Sequence, residues 1–271
     1  NRGVALTPAG RAFYPEAQAI LQRVDHARVV AQRAEHGDVG RLDVGFVSIA
    51  DYSLLPWVLK ALRQRHPGIE VVLHEETSDV QVGRLRERRL DAGFALGPMD
   101  APDLAFEPLI DEPLIVAAPA DHPVARCDAV SVRALAGDPF IGTPRELAPG
   151  LYDAVMGVCR EAGFVPRISQ RAKQMQTVVS LVSAGLGVAL IPASVRHLQR
   201  TGVVYRPLRS AGPTVQLGLA WRRTDRDPAL LRLIALTHDV ARAYRADPDA
   251  QAPAGPEGGQ AGHAGEGEGE G

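Results

Sequence analysis

Cysteine is almost missing from this chain: Cys127 and Cys159 are the only two among 271 residues. That is too few for a disulfide framework or a thiolate metal site. Lysine is nearly as scarce, with Lys60 and Lys173 alone against a large excess of arginine, which we read as genome composition bias. The eight histidines are scattered, His66, His74, His122 and His197 falling in separate elements with no pair at metal-ligand spacing. Neither a phosphate-cradling glycine loop nor a nucleophile elbow occurs. Glu75 and Glu76 are adjacent on an expected strand, where neighbouring side chains face opposite ways, so they are not expected to share a site. A catalytic constellation needs a nucleophile with a base, paired carboxylates or a metal. None is present, so no catalytic residue, metal ligand or cofactor is assigned and the chain is not read as an enzyme. No apolar run approaches the roughly 18 residues of a membrane span, and the start has no apolar signal core. The expectation is a cytoplasmic protein with no membrane partner.

What is present is an ordinary apolar fraction of 45%, enough for a real core. The net charge of −2 hides an asymmetry, because residues 246–271 carry six acids and no Lys or Arg. The remainder has 30 basic against 26 acidic residues, mildly basic and well short of a nucleic-acid coat. That tail is Gly, Ala, Pro and Glu, a composition that cannot bury enough surface to order itself.

At the other end, Arg2-x-Val4-x-Leu6 reads as a short strand running into Thr7-Pro8. Thr7 is placed to cap a helix and Pro8 to occupy its first turn. The helix runs from Pro8 to about Glu35 and ends near Gly37. Phe13, Ala17, Ile20, Val24, Ala27 and Ala31 recur at alternating spacings of four and three, a narrow stripe suited to a helix-on-helix seam. The stripe either packs on the chain's own body, as helical stripes usually do, or pairs with a second copy, and its spacing fits a seam better than a broad core face.

After Gly40 strands and helices alternate. Strands are expected at 42–47, 69–75, 91–95, 113–118, 140–142, 188–191 and 215–221. Helices are expected at 54–66, 80–89, 150–162, 175–184 and 228–244, with a short one near 131–136. Such spacing means βαβ units on a parallel sheet, and two such groups joined by crossing strands imply two lobes with a cleft between them.

The order and spacing of several stretches carry a family resemblance. They are Arg2-x-Val4-x-Leu6-Thr7-x-x-Gly10, Gly45-Phe-Val-Ser48 with Leu54-Leu-Pro56, Glu76-Thr-Ser-x-x-Gln81, Leu90-Asp-Ala-Gly-Phe94, His122-Pro123 and Val182-Ser-Ala-Gly-Leu-Gly-Val-Ala-Leu-Ile-Pro192. Together they resemble the LysR-type transcriptional regulators, closest in flavour to the branch controlling aromatic-compound catabolism. The resemblance implies an α/β, two-lobed, periplasmic-binding-protein-like effector domain, preceded by a long linker helix and the remnant of a winged helix-turn-helix. Residues 1–7 are then the end of the wing, the rest of which is expected to be missing. Residues 8–37 are the dimerisation helix, with Phe13, Ile20, Val24 and Ala27 in its seam. The effector domain is 41–245, with lobe I about 41–112 and 215–245 and lobe II about 113–214. Double-stranded DNA, a small-molecule effector and further copies of the chain, as homodimer or homotetramer, are the implied partners. Arg2 is the one remaining DNA contact, a phosphate or minor-groove arginine that adds affinity but little readout. The run Arg84, Arg86, Arg88, Arg89 is read as a solvated helix face.

Ligands in open α/β lobes sit beyond the C-terminal strand ends. Lobe I offers Ser48 and Ile49 in the loop after the first strand, Thr77 and Ser78 after the second, and Leu96 after the third. Lobe II offers Thr143 and the helix start Pro149-Gly150-Leu151, and the resemblance to the LysR-type regulators adds Gln176 as a cleft position. Hydroxyls at helix starts also cap their own helices, and Asp51 is placed to do so. In relatives that sense aromatic acids an arginine follows the Gly-Phe of the third strand, and Ile49 replaces a hydroxyl seen in some of them. Leu96 and Ile49 make this pocket more apolar and leave a carboxylate partner unassigned. An aromatic or organic acid is the expected effector. The rival reading is a solute-binding protein for transport, which shares the two-lobed cleft.

Overall fold

The computed structural model describes residues 7–35, 37–210 and 212–246, with the side chains of residues 19 and 25–34 outside that description. The expected DNA contact Arg2 and nearly all of the expected acidic tail lie outside the described residues. So does the side chain of Ala27.

The first helix, α1 (Pro8–Glu35), starts as the sequence implies. The Gly10 amide donates to Thr7 Oγ1 at 3.1 Å, satisfying one of the orphan donors of the first turn. Pro15 lies inside the helix without ending it. Phe13, Ile20 and Val24 stay 60–70% exposed, so this stripe does not pack on the chain's own globule. Past the helix, Gly37 takes φ +71°, and a Cβ there would meet the Pro228 backbone at 2.7 Å. Only glycine permits both that turn and that approach.

The body is built on one seven-stranded sheet. Its parallel part is β1 (Val39–Phe46) flanked by β2 (Gly68–Glu75) and β3 (Ala92–Leu96). The one-turn α2 (Ser48–Asp51), then α3 (Leu55–Arg65), cross from β1 to β2, and α4 (Ser78–Arg86) crosses from β2 to β3. All five residues of β3 are buried, as a strand covered on both faces requires. Beyond β3 the sheet turns antiparallel. The long β4 (Leu104–Pro119) pairs over its first ten residues with β9 (Thr214–Arg222), which itself lies against β3. The far end of β4, from Leu114 or Ile115 onward, pairs instead with β7 (Ala189–Pro192) and β8 (Val203–Pro207). β4 is therefore a beam shared by two lobes. The second lobe adds the small parallel pair β5 (Pro139–Gly142) and β6 (Arg167–Arg171), with α5 (Pro149–Glu161) and α6 (Met175–Ser183). The last helix, α7 (Pro228–Ala246), returns to the first lobe, burying Leu230, Leu233, Leu236 and Val240.

Four expectations need correcting. The sheet is mixed, because β9 inserts antiparallel between β3 and β4. β4 begins at Leu104 rather than 113: its register shifts between Pro108 and Ile110, and a bulge tolerates a proline that reads as a breaker in sequence. α4 ends at Arg86 rather than 89, since Arg88 takes φ 58°. The stretch after β1 is a helical turn, not a loop. Three arginines of the solvent-facing run, Arg84 and Arg86 on α4 and Arg89 beyond its end, pair with carboxylates. Arg84 reaches Glu76 at 3.1 Å and Arg89 reaches Glu87 at 3.4 Å. Arg86 grips Asp103 with two bonds of 2.9 and 2.7 Å.

Candidate functional site

The C-terminal ends of β1, β2 and β3 and the starts of α5 and α6 line a cleft between the lobes, open to solvent, whose unfilled space including that solvent is about 430 Å³. Lobe I contributes Val47, Ser48, Ile49, Glu75, Glu76, Thr77, Ser78 and Leu96, and lobe II contributes Thr143, Leu147, Ala148, Leu151, Lys173, Gln174 and Met175. Seven of the ten residues expected at the cleft are in this wall. Pro149 and Gly150 instead line an adjoining space of about 570 Å³ with Ser78 and Leu96. Gln176 is exposed and lines neither space. α6 begins at Met175, and the residues just before it, Lys173 and Gln174, face the cleft.

The hydroxyls are not occupied as helix caps. Thr77 is the N-cap residue of α4, yet its side chain makes no cap bond, and its Oγ1 is buried without a hydrogen-bond partner. Ser78 Oγ accepts from the Leu96 amide at 3.0 Å, tying the α4 start to the end of β3. Asp51 does not cap the next helix: Leu54 holds that position, without a side-chain bond. The N-cap residues of α5 and α6, Ala148 and Gln174, likewise make no side-chain cap bond. The amide ends of α4, α5 and α6 are thus left for another acceptor, with the positive ends of three helix dipoles at one cavity.

Behind this rim sits Gln81, fully buried, whose Nε2 donates to the carbonyls of Glu76 (2.9 Å) and Phe94 (3.2 Å). It holds the β2–α4 turn against β3. Across the rim the lobes touch backbone to backbone, and a Cβ on Gly150 would lie 2.6 Å from the Gly97 carbonyl oxygen. Gly150→Ala is expected to force the lobes apart, lowering the thermal midpoint by several degrees, as overpacking of about 1–3 kcal/mol implies. Differential scanning calorimetry with small-angle scattering checks it, and an unchanged midpoint would refute the contact.

Charge is divided across the cleft. Glu75 and Glu76 both line it, contrary to the expectation from strand alternation, because β2 ends at Glu75 and the alternation stops there. Glu76 is committed to Arg84. Burial, then the nearby Asp51 and Glu75 carboxylates, push the Tyr52 phenol up to about 12. Lys173 is the one cationic side chain in the wall, and among the described residues it has no ion pair. Sequence reasoning passed it over, although its rarity set it apart. The floor is apolar, with Ile49, Leu96, Leu151 and Met175 all buried. Next to it lies a second, mostly apolar crevice in lobe II that shares Thr143, Leu151 and Met175 with the cleft wall.

Residues 35–242 match the family described as the LysR substrate binding domain. The chain belongs to the LysR family of transcriptional regulators. It is 40% identical over 250 residues to the HTH-type transcriptional regulator IlvR of Caulobacter vibrioides, covering 90% of this chain and 82% of that protein. Among solved structures, CbnR, a LysR family transcriptional regulator, superposes with TM-score 0.79 at 26% identity, covering 88% of this chain and 82% of that one. The effector binding domain of BenM with its effector benzoate superposes with TM-score 0.67 at 26% identity, covering 79% and 97%. These relatives decide between the two readings of the cleft in favour of a DNA-binding regulator with a small-molecule effector domain, and against a transport protein. They are regulators rather than catalysts. No metal-holding group of three or more His, Cys, Asp or Glu occurs among the described residues, and no helix there is long and apolar enough to cross a membrane.

Proposed function

We propose that the cavity between the lobes is the effector site of this LysR-family regulator and that it takes a small organic acid. The observation that carries the reading is Lys173, an exposed cation with no ion pair among the described residues, at the mouth of an apolar-floored cleft toward which three helix starts without side-chain caps converge. Lys173 supplies the carboxylate partner that Leu96 does not, and Ile49, Leu96, Leu151 and Met175 receive the apolar body. BenM, whose effector is benzoate, supports an acid. In this reading lobe I is about 41–112 and 215–245, lobe II about 113–214. Occupancy changes the angle between them, and α1 passes that change to paired DNA readers. Phe13, Ile20, Val24 and Ala27 of α1 form the seam between copies. The ligand shifts the balance only if it binds one lobe arrangement better than the other.

A thermal-shift screen of aliphatic and aromatic carboxylates tests this. Binders should raise the midpoint, and Lys173→Met, which keeps the length of the side chain and removes its charge, should weaken them by a factor of about 10 to 100. Carboxylates that stabilise the wild-type and K173M proteins equally would put the site elsewhere.

A further inference from the structure

The two sides of the cavity carry opposite, uncompensated charge. On lobe II Lys173 has no ion pair among the described residues. On lobe I Glu76 is neutralised by Arg84, but Glu75, the last residue of β2, has no ion pair among the described residues. Asp51 is a second carboxylate on that side, and with Glu75 it adds to the burial that raises the Tyr52 phenol. A simple acid bound at Lys173 therefore meets repulsion from Glu75, and a simple amine bound at Glu75 meets repulsion from Lys173. A ligand carrying both charges on a short spacer satisfies each wall at once. It also bridges the lobes, so its affinity depends on their separation, the differential binding a switch requires. The remaining wall specifies an apolar side chain, since the floor adjoins the mostly apolar crevice in lobe II.

We infer that the effector is an amino acid with an apolar side chain, its carboxylate directed to Lys173 and its ammonium to Glu75. This inference rests on the effector-site reading above and narrows it. Single-sign ligands bind more weakly because each meets a like charge opposite, which is how a site discriminates against the wrong partner.

The test is calorimetric titration of the full chain with L-valine, L-leucine and L-phenylalanine. Alongside run two halves of leucine, 4-methylpentanoate lacking the amine and 3-methylbutylamine lacking the carboxylate, and benzoate. At least one amino acid should bind about tenfold or more tighter than either half-molecule. Glu75→Gln and Lys173→Met should each cost that amino acid about tenfold, while E75Q tightens 4-methylpentanoate by removing the repulsion. Binding of 4-methylpentanoate or benzoate as tight as that of every amino acid, unaffected by E75Q, would overturn the inference and leave the acid-binding effector site standing. Amino-acid binding indifferent to both substitutions would also overturn it. Failure of every carboxylate, with or without an amine, would remove the effector-site reading as well.

Discussion

Replacing Arg222 with methionine is expected to lower the free energy of unfolding by about 3–5 kcal/mol, the range for removing one partner of a buried ionic cluster. Arg222 ends β9 and is only 9% exposed. Its guanidinium donates to the carbonyls of Leu85 (2.9 Å) and Leu90, to Asp91 (3.3 Å) and to Asp225 (2.5 Å). The carbonyls belong to the last turn of α4 and the segment leading to β3, where helix-end acceptors lack intrahelical donors. Arg222 thus fastens the C-terminal end of α4 to the sheet while Ser78 fastens its start. Methionine fills the volume but takes the guanidinium from two carbonyls and two carboxylates, of which the Leu85 carbonyl, Asp91 and Asp225 keep one backbone amide each. Urea unfolding checks the size of the loss, and a cost below 1 kcal/mol would show that water replaces the guanidinium. The same cluster sets an acid dependence. Burial opposes ionisation of Asp225, but the Asp227 amide and the Arg222 guanidinium outweigh it and hold its carboxyl below the usual carboxylate range. A depressed folded value means the stabilisation is fully present above the unfolded carboxylate pKa and disappears as pH falls through the folded one. In R222M that acid-side loss should shrink.

Nothing in the sequence around Arg222 advertises this role. Trp-Arg-Arg at a strand end reads as the point where the chain meets solvent, and burial of the first arginine is decided by α4, far away in sequence. Elements whose character is local were legible instead. β3 is an unbroken apolar pentapeptide bounded by Asp91 and Gly97, and α1 carries its cap, first-turn proline and terminal glycine in order. Elements stabilised only by partners were not. β6 is Arg-Ile-Ser-Gln-Arg, polar and mostly exposed because it edges a two-stranded sheet, and β8 exists as a strand through its pairing with β4. The front of β4 was hidden by Pro108 and Pro113. The cleft divides the same way. Hydroxyls beyond strand ends follow from the α/β architecture, so Ser48, Thr77, Ser78 and Thr143 were within reach. α6 starts at Met175, where periodicity places it, but Lys173 and Gln174 belong to the segment before it, and that segment meets the cleft only through the way the lobes face each other, which periodicity does not carry.

On the proposed α1 seam, Ile20→Glu combined with Val24→Glu is expected to break the pairing of copies and lower the oligomeric state. In a symmetric seam each substitution acts twice, once from each copy. Each aliphatic side chain taken from water contributes about 1.5–3 kcal/mol, so a single change costs the pair about 3–6 kcal/mol before any repulsion between carboxylates. That alone raises the dissociation constant by about 10² to 10⁴, and the double change exceeds what a seam of three or four side chains supplies. The monomer should stay folded, because Phe13, Ile20 and Val24 are exposed in the single chain and the buried core lies in the strands and helices that follow. Sedimentation velocity at micromolar concentration separates the outcomes, with the thermal midpoint of the globular body as control. A double variant that remains dimeric would move the principal contact to the lobes and leave α1 without a role in coupling. A monomer that keeps its ligand affinity but loses cooperative binding to DNA would place the stripe on the path between effector and operator. Effector binding is intrinsic to one chain, whereas gripping two half-sites demands a rigid link between two of them.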